Sequence, residues 1–214
     1  MNQAMYAAAS GMAAEQAHLD LITDNLANAD VVGFKASVAQ FAEIGVPGAE
    51  GLGTTQTGLR VVFTPGKVMK TGGPFDLAID GTGFFAVMDD HGTVALTRTG
   101  DFSRSADGLL RNSAGWHLAG LRIPDGALRA SVDPDGHVWV DEPGAPHRCI
   151  GRIRVADVNA PERLRAVGSG TWLPTHASGP VRYLDAGKDG MGSIVFSALE
   201  RSNVFIAPTS RSLS

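Results

Sequence analysis

Residues 76–92 read DLAIDGTGFFAVMDDHG, and the interpretation of this stretch decides the fold. Its central hexapeptide, GTGFFA from Gly81 to Ala86, fits the G-x-G-x-x-A fingerprint of a dinucleotide-binding turn. Such a turn needs a helix directly after the glycines, because the amides and dipole of the helix bind the pyrophosphate. The turn residues DDHG at 89–92 follow instead, and no helix fits there. The sequence therefore argues against a dinucleotide site.

The same stretch predicts a β-hairpin. Residues 84–88 and 93–97 form two apolar runs on either side of a turn, which is typical of paired antiparallel strands. The two glycines then serve a tight turn or a bulge. Because successive side chains of a strand point to opposite faces, we expect Phe84 and Phe85 to place one ring on each face.

Residues 75–158 read as all-β. Short apolar runs alternate with turn signals such as Asp107-Gly108 at spacings near ten residues, which is typical of a small sandwich or barrel-like domain. The predicted strands, including two that precede this region and one that follows it, are 37–41, 59–63, 94–97, 109–110, 116–121, 137–140, 151–158 and 170–173.

The N-terminal residues 2–28 predict one long helix. They are rich in alanine and contain no proline. A narrow apolar stripe recurs every seven residues, at Met5, Met12, Leu19 and Leu26, with Ala8, Ile22 and Ala29 on the intervening position and Glu15 as the exception. This stripe resembles a coiled-coil seam that needs a partner. The alternative is that the helix packs on its own domain.

Composition and motifs exclude several classes of function. A net charge of −4 and a pI near 5.8 give no basic footprint for nucleic acid. The six histidines show no metal-ligand spacing, and the close acidic pairs fall in predicted turns. We expect no enzyme activity, metal, cofactor, membrane insertion or cleaved signal peptide. The single cysteine, Cys149, excludes an internal disulfide, and we expect it to be half-buried.

Three separated stretches resemble the flagellar axial proteins, which are the rod and hook subunits of the bacterial flagellum. The first is AASGMAAEQAHLDLITDNLANADVVGFKA, with the run from Asn25 to Asn28 and then GFK at 33–35. The second lies at 74–120 and includes PFDLAIDGTGFFAV and TRTGDFSR; the third is ALERSNV at 198–204. Within the family, the N-terminal segment and the length resemble the rod proteins, with the distal type first and the proximal type second.

The resemblance implies a structural subunit of the basal-body rod, which polymerises into the axial drive shaft that transmits torque from motor to hook. Its expected partners are further copies of itself in a helical assembly, other rod and hook subunits, and the type III export apparatus. The resemblance also implies a location in the periplasmic rod, close to peptidoglycan where the rod crosses the cell wall. Two alternatives stay open: a truncated paralog that does not assemble, and a β module that binds cell-wall glycan.

Residue roles carried over from the family fall into three groups. The inner-tube helix would pack through Met5, Met12, Leu19, Ile22 and Leu26, with Asn25 and Asn28 bonding neighbouring backbones. The core of the β domain would contain Phe75, Leu77, Ile79, Phe84, Phe85 and Trp116. The remaining family-motif residues are Gly33, Phe34, Lys35, Gly81, Gly83, Glu200, Ser202 and Asn203, of which the last three would start a returning C-terminal helix.

The predicted architecture is mainly β with a long N-terminal α-helix, a small β sandwich or barrel-like domain, an extended linker and a truncated C-terminal helix. The predicted divisions are the axial helix at 1–32, a Gly-rich linker at 33–72, the β domain at 73–190 and the returning segment at 191–214. Truncation is expected because Pro208 breaks any helix that starts near Val204. We expect a weakly polymerising protein whose first residues, 1–30, are mobile or folded back on the β domain.

Overall fold

A long N-terminal helix followed by many short strands makes up the fold. The computed structural model describes residues 3–44, 53–144 and 147–205. The helix, α1, spans Gln3–Ala27, and the rest of the described chain is mainly β. The predicted fold class is thereby confirmed. The Gly-rich loop around residues 45–52, the C-terminal residues 206–214 and the predicted truncation lie outside the described residues.

The strands of the described residues are β1 (Ser37–Glu43), β2 (Thr54–Val61), β3 (Val68–Lys70), β4 (Leu77–Asp80), β5 (Phe84–Met88), β6 (Val94–Thr97), β7 (Ser103–Arg104), β8 (Leu109–Arg111), β9 (His117–Arg122), β10 (Arg129–Val132), β11 (His137–Asp141), β12 (Arg148–Arg152), β13 (Arg154–Asp157), β14 (Arg165–Gly168), β15 (Thr171–Leu173), β16 (Arg182–Asp185), β17 (Ser193–Phe196) and β18 (Ala198–Glu200).

The predicted hairpin lies at the centre of the largest sheet. Strands β5 and β6 pair antiparallel, with Phe85 opposite Thr97 and Met88 opposite Val94. The strand order of this sheet is β14-β15-β6-β5-β9-β8-β7, and β13 pairs with both β5 and β16. The chain after Gly83 is therefore a strand and not a helix, which confirms the argument against a dinucleotide fold.

The two faces of β5 contribute to separate hydrophobic clusters. Phe85 belongs to the larger cluster and stacks edge-on against Phe102 with ring centroids 5.8 Å apart. Phe84 belongs to the smaller one and lies 6.1 Å from the ring of Trp172. The prediction of one ring on each face is confirmed. Leu77 and Ile79 are buried in the larger cluster, while Phe75 and Trp116 pack against it half-buried.

One prediction about the β region was wrong. The segment 151–158 is not one strand, because β12 ends at Arg152 and β13 begins at Arg154, on either side of the buried Ile153. The break moves the chain from the β10-β11-β12 sheet into the central sheet. The strands of the described residues form open sheets and no closed barrel.

The segment predicted as a linker contains strands of its own. Strands β1 and β2 pair as a hairpin, from Ser37 opposite Val61 to Glu43 opposite Thr54. Strand β2 begins earlier than the predicted 59–63. Strand β3 pairs with β18, so residues on both sides of the β region meet in one small sheet.

Gly83→Ala is expected to lower the free energy of unfolding by about 2–4 kcal/mol. Gly83 has φ +111°, and a Cβ there would overlap the Val155 side chain of β13, the strand that pairs with β5. Gly92→Ala is the matched control, because Gly92 has φ +85° with nothing within 4 Å of the added carbon. We expect only about 1–2 kcal/mol from backbone strain at this control position. Urea unfolding of both variants measures the difference, and equal losses would contradict the packing role of Gly83.

Candidate assembly interface

The helix α1 has two different faces. At about 100° per residue, one face collects Ala7, Ser10, Ala14, Ala17 and Leu21. These five residues are half-buried, and their side chains face the β1–β2 hairpin. The sequence prediction missed this face because small side chains carry little hydrophobic signal.

Three side-chain contacts attach the helix to the hairpin. The Thr54 amide donates to Ser10 Oγ at 3.2 Å, and the rings of His18 and Phe41 lie 6.2 Å apart, edge to face. Near the helix end, Asn25 Nδ2 donates to the Ser37 carbonyl at 2.8 Å, while Asn25 Oδ1 accepts from the Ser37 amide at 2.9 Å. The side-chain Nδ2 of Asn28, directly after α1, instead donates to the Asp24 carbonyl in the last turn of the helix.

The predicted seam lies on the opposite side of α1, about 180° around the axis from the small-residue face. Its side chains are exposed: Met5 by 66%, Met12 by 69%, Leu19 by 49%, Ile22 by 48% and Leu26 by 55%. The helix does fold back on its own chain, but through the small-residue face. The seam side chains stay about half or more exposed in the single chain, and the role of the seam as a subunit contact stays a prediction.

An apolar groove lies beside the C-terminal half of α1. It is a cavity of about 390 Å³. Its apolar lining comes from the helix, the hairpin and the last described residues: Ile22, Leu26, Val38, Val62, Val204 and Phe205. Phe205 is 85% exposed. Ile22 and Leu26 belong to both the seam and the groove, so the two apolar surfaces adjoin at the C-terminal half of α1.

A buried ion cluster joins the three family-like stretches. Lys35 Nζ lies 2.6 Å from Glu200 Oε1, and Arg98 Nε lies 2.8 Å from Glu200 Oε2. All three side chains are almost fully buried. The Arg98 contact is an ion pair without the angle of a hydrogen bond. Two cations therefore share one carboxylate in the interior, and each comes from a different segment of the chain.

The glycine turn surrounds a guanidinium group. Arg98 Nη1 donates to the Gly83 carbonyl at 2.7 Å, and Nη2 donates to the Gly81 carbonyl at 2.8 Å. The turn that resembles a phosphate cradle thus uses its carbonyl oxygens to bind a cation. Sequence reasoning missed Arg98 as a functional residue, although a lone arginine directly after the apolar run 94–97 was the available signal.

The remaining motif residues connect the post-helix turn to the C-terminal segment. Gly33, with φ +65°, donates its amide to the Glu200 carbonyl at 2.8 Å. Asn203 Oδ1 accepts from the Ala36 amide at 2.7 Å, and Asn203 Nδ2 donates to the Val62 carbonyl at 2.7 Å. The turn predicted at Gly33 is present, and the half-buried Phe34 follows it.

The predicted start of a C-terminal helix at these residues was wrong. Glu200 is the last residue of strand β18, where its backbone pairs with Val68 of β3, and its side chain is fully buried. Ser202 Oγ accepts from the Val204 amide at 3.2 Å, which closes a local turn. No helix begins between residues 200 and 205.

Comparison with known proteins shows the family to which this chain belongs. The family model described as flagella basal body rod protein matches residues 5–35, and the one described as flagellar hook protein FlgE/F/G D1 domain matches residues 78–140. The flagellar basal-body rod protein FlgG of Caulobacter vibrioides is 31% identical over 223 residues, covering 94% of this chain and 85% of the relative. The chain belongs to the flagellar basal-body rod protein family.

Further relatives agree with this membership. The rod protein FlgG of Borreliella burgdorferi is 32% identical over 97% of the chain and 86% of its own length. The flagellar hook protein FlgE of Brucella abortus is 37% identical over 84% of the chain, but over only 46% of its own length. The two family models cover α1 with the post-helix turn, and the β4–β11 region that contains Arg98.

The described residues of this rod-family chain also bear on the expectations for metal binding, membrane crossing and Cys149. No group of His, Cys, Asp and Glu there has the arrangement of a metal site. No helix in the same residues combines the length and hydrophobicity that crossing a bilayer requires. Cys149 is exposed and not half-buried as predicted, because it lies on β12, which pairs on one side only.

The pKa of Lys35 is lowered, first by burial and then by Arg98, while the charge and hydrogen bond of Glu200 oppose the shift. The folded protein therefore binds this proton less tightly than the unfolded chain, whose lysine pKa is about 10.4. The contribution of Lys35 to stability is lowest below its folded pKa and rises as pH approaches the unfolded value.

We expect the unfolding free energy of wild type, relative to that of Lys35→Met, to increase as the pH rises from 7 to about 10. Urea unfolding of both proteins at each pH measures this difference, and groups common to both cancel. A difference that moves the other way would contradict the direction of the Lys35 shift.

Proposed function

We propose that this protein is a structural subunit of the bacterial flagellar basal-body rod, which polymerises into the axial shaft that transmits torque from motor to hook. One observation carries the proposal: α1 is held to its own hairpin by one face and presents an apolar seam on the other. An apolar stripe of this length on a single chain is typical of a subunit contact. Relatives named as rod proteins support the same conclusion.

The internal connections suit a part that transmits torque. Asn25 joins the helix end to β1, and Glu200 joins Lys35, which follows the helix in sequence, to Arg98, which directly follows β6 of the central sheet. Two cations and one carboxylate in the interior hold these segments in one arrangement, because a shift would separate buried charges. Force on the helix is thereby passed to the β domain through fixed contacts and not through a flexible linker.

The expected partners and location follow from this role. Further copies of the chain and other rod and hook subunits contact the seam. The subunit reaches its place through the flagellar export apparatus and lies in the periplasm, near peptidoglycan. A position in the distal rod is favoured over the proximal rod. The proposed role needs neither catalysis nor a cofactor.

The glycan-binding alternative lacks a common aromatic groove in the described residues. Trp172 is buried in the smaller cluster, and Trp116 packs against the larger one. Trp139 lies on the outer face of β11, where one side of its ring is stacked against His147 at 5.0 Å. The three indoles therefore face separate surroundings and do not form one platform for a sugar chain.

Immunogold microscopy of purified hook–basal bodies tests the proposal. An epitope tag at Gly48, between β1 and β2, replaces the native copy in the source strain, and the untagged strain is the control. We expect label on the rod, with motility retained as evidence that the tag is tolerated. Label absent from intact basal bodies of a motile strain would favour the non-assembling paralog.

A further inference from the structure

We infer that the groove beside α1 binds the N-terminal half of the seam of a second copy of this chain, and that Arg60 of one copy pairs with Glu15 of the next. This inference rests on the proposed function. It adds a head-to-tail register and a specificity contact between subunits.

The apolar complementarity comes from two different ends of the same helix. The groove is lined by Ile22 and Leu26 of the C-terminal half of α1, together with Val38 of β1. The N-terminal half carries Met5 and Met12, which are exposed by 66% and 69%. Methionine side chains are flexible and fill irregular apolar depressions well.

The charge pattern selects this register over pairing of two seams. Glu15 lies at the intervening seam position, between Met12 and Leu19, and it is exposed. Residues 3–27 contain Glu15, Asp20 and Asp24 and no lysine or arginine. Two α1 seams packed together would therefore bring carboxylates into an apolar contact with no cation, which is costly.

The groove supplies the missing cation. Arg60 lies directly opposite Val38 in the β1–β2 register, so the two side chains share one face of the hairpin at about 5 Å between Cβ atoms. Arg60 is exposed, and within the described residues it makes no ion pair or side-chain hydrogen bond. A helix seated in the groove with Met12 and Leu19 inward would direct Glu15 towards this guanidinium.

The contact joins the N-terminal half of one helix to the C-terminal half of another. An antiparallel pair would use it twice and close as a dimer, whereas the head-to-tail arrangement that the proposed function requires is heterologous. Repetition of such a contact produces an open helical polymer and not a closed dimer. The self-association that the proposed function requires therefore follows from one pair of surfaces on this chain.

Charge exchange tests the pairing in basal bodies. Glu15→Lys and Arg60→Glu are each expected to lower incorporation into the rod about tenfold, and the double variant Glu15→Lys/Arg60→Glu is expected to restore it to within about threefold of wild type. Both positions are exposed, so urea midpoints of the purified variants should match wild type. Single variants that incorporate like wild type, or a double variant no better than the singles, would overturn the register.

Photocrosslinking identifies the occupant of the groove. Benzoylphenylalanine at Met12 of the full chain, in an assembly mixed from light and ¹⁵N-labelled copies, is expected to give mixed-isotope crosslinks to the peptide that contains Val38. Crosslinks between two Met12 peptides, or occupation of the groove by residues 206–214 of the same chain, would overturn the inference and leave the rod function intact. Wild type absent from basal bodies would instead overturn the proposed function, and this inference with it.

Discussion

Glu200→Gln is expected to lower the free energy of unfolding by about 3–5 kcal/mol, the largest stability loss that a single polar substitution should cause in this protein. Glu200 is the only carboxylate in contact with Lys35 and Arg98 among the described residues, and it also accepts from the Gly66 amide at 2.6 Å. Its removal leaves two buried cations without a counter-charge. Glutamine retains the shape and an acceptor oxygen, so the loss reports the charge.

Lys35→Met is the matched control for this prediction. It leaves the Arg98–Glu200 pair intact and removes a cation whose burial already lowers its pKa. We therefore expect a loss of no more than about 2 kcal/mol, part of which reflects the hydrogen bond from Lys35 Nζ to the Thr64 carbonyl, which keeps its second donor, Asn203 Nδ2 at 3.1 Å. Urea unfolding followed by circular dichroism measures both variants. A Glu200→Gln loss no larger than that of Lys35→Met would show that charge compensation does not hold the cluster together.

Leu19→Asp is expected to abolish motility while leaving the fold of the subunit intact. Leu19 lies in the middle of the seam and is 49% exposed in the single chain, so the subunit loses little burial. In an assembly the aspartate would be buried among apolar side chains, with Arg60 already paired to Glu15, and the contact should weaken at least about a hundredfold. Soft-agar motility and recovery of the protein in hook–basal bodies are the measurements.

Ala13→Asp is the control for the seam, because it introduces the same charge at an exposed α1 position. It lies about 100° around the helix from Met12, off the seam and at the exposed edge of the hairpin face. Its cost should be the helix propensity of aspartate, about 0.5–0.7 kcal/mol, with motility retained. Equal motility defects in the two variants would point to general helix destabilisation and contradict the seam as the assembly contact.

The elements with strong local patterns could be predicted from the sequence alone. The helix over 2–28 is found at Gln3–Ala27, because alanine propensity and the absence of proline act within the segment itself. The hairpin of β5 and β6 was predictable for the same reason, since two apolar runs flank a four-residue turn. The seam was visible as a heptad repeat, and its exposure follows because nothing adjacent in sequence covers it.

The sequence was misleading where the outcome depends on distant contacts. The alternating pattern at 151–158 predicts one strand, but the two halves pair with β11 and with β5 and β16, which are far apart in the chain. Glu200 fits the start of a helix by its local residues. It is instead fully buried, since Lys35 and Arg98 approach it from segments more than a hundred residues away.

By itself, the sequence determined the class of the protein: a long helix with an apolar seam, a domain of short strands, and three motifs that identify the rod family. Only the tertiary structure decided that these motifs meet at one buried carboxylate, that the glycine turn binds a guanidinium, and that the small-residue face of α1 packs inward. The physical reason is the distance along the chain over which each effect acts. Helix propensity and turn chemistry act over a few residues, whereas compensation of buried charge and close packing depend on which distant segments the fold brings together.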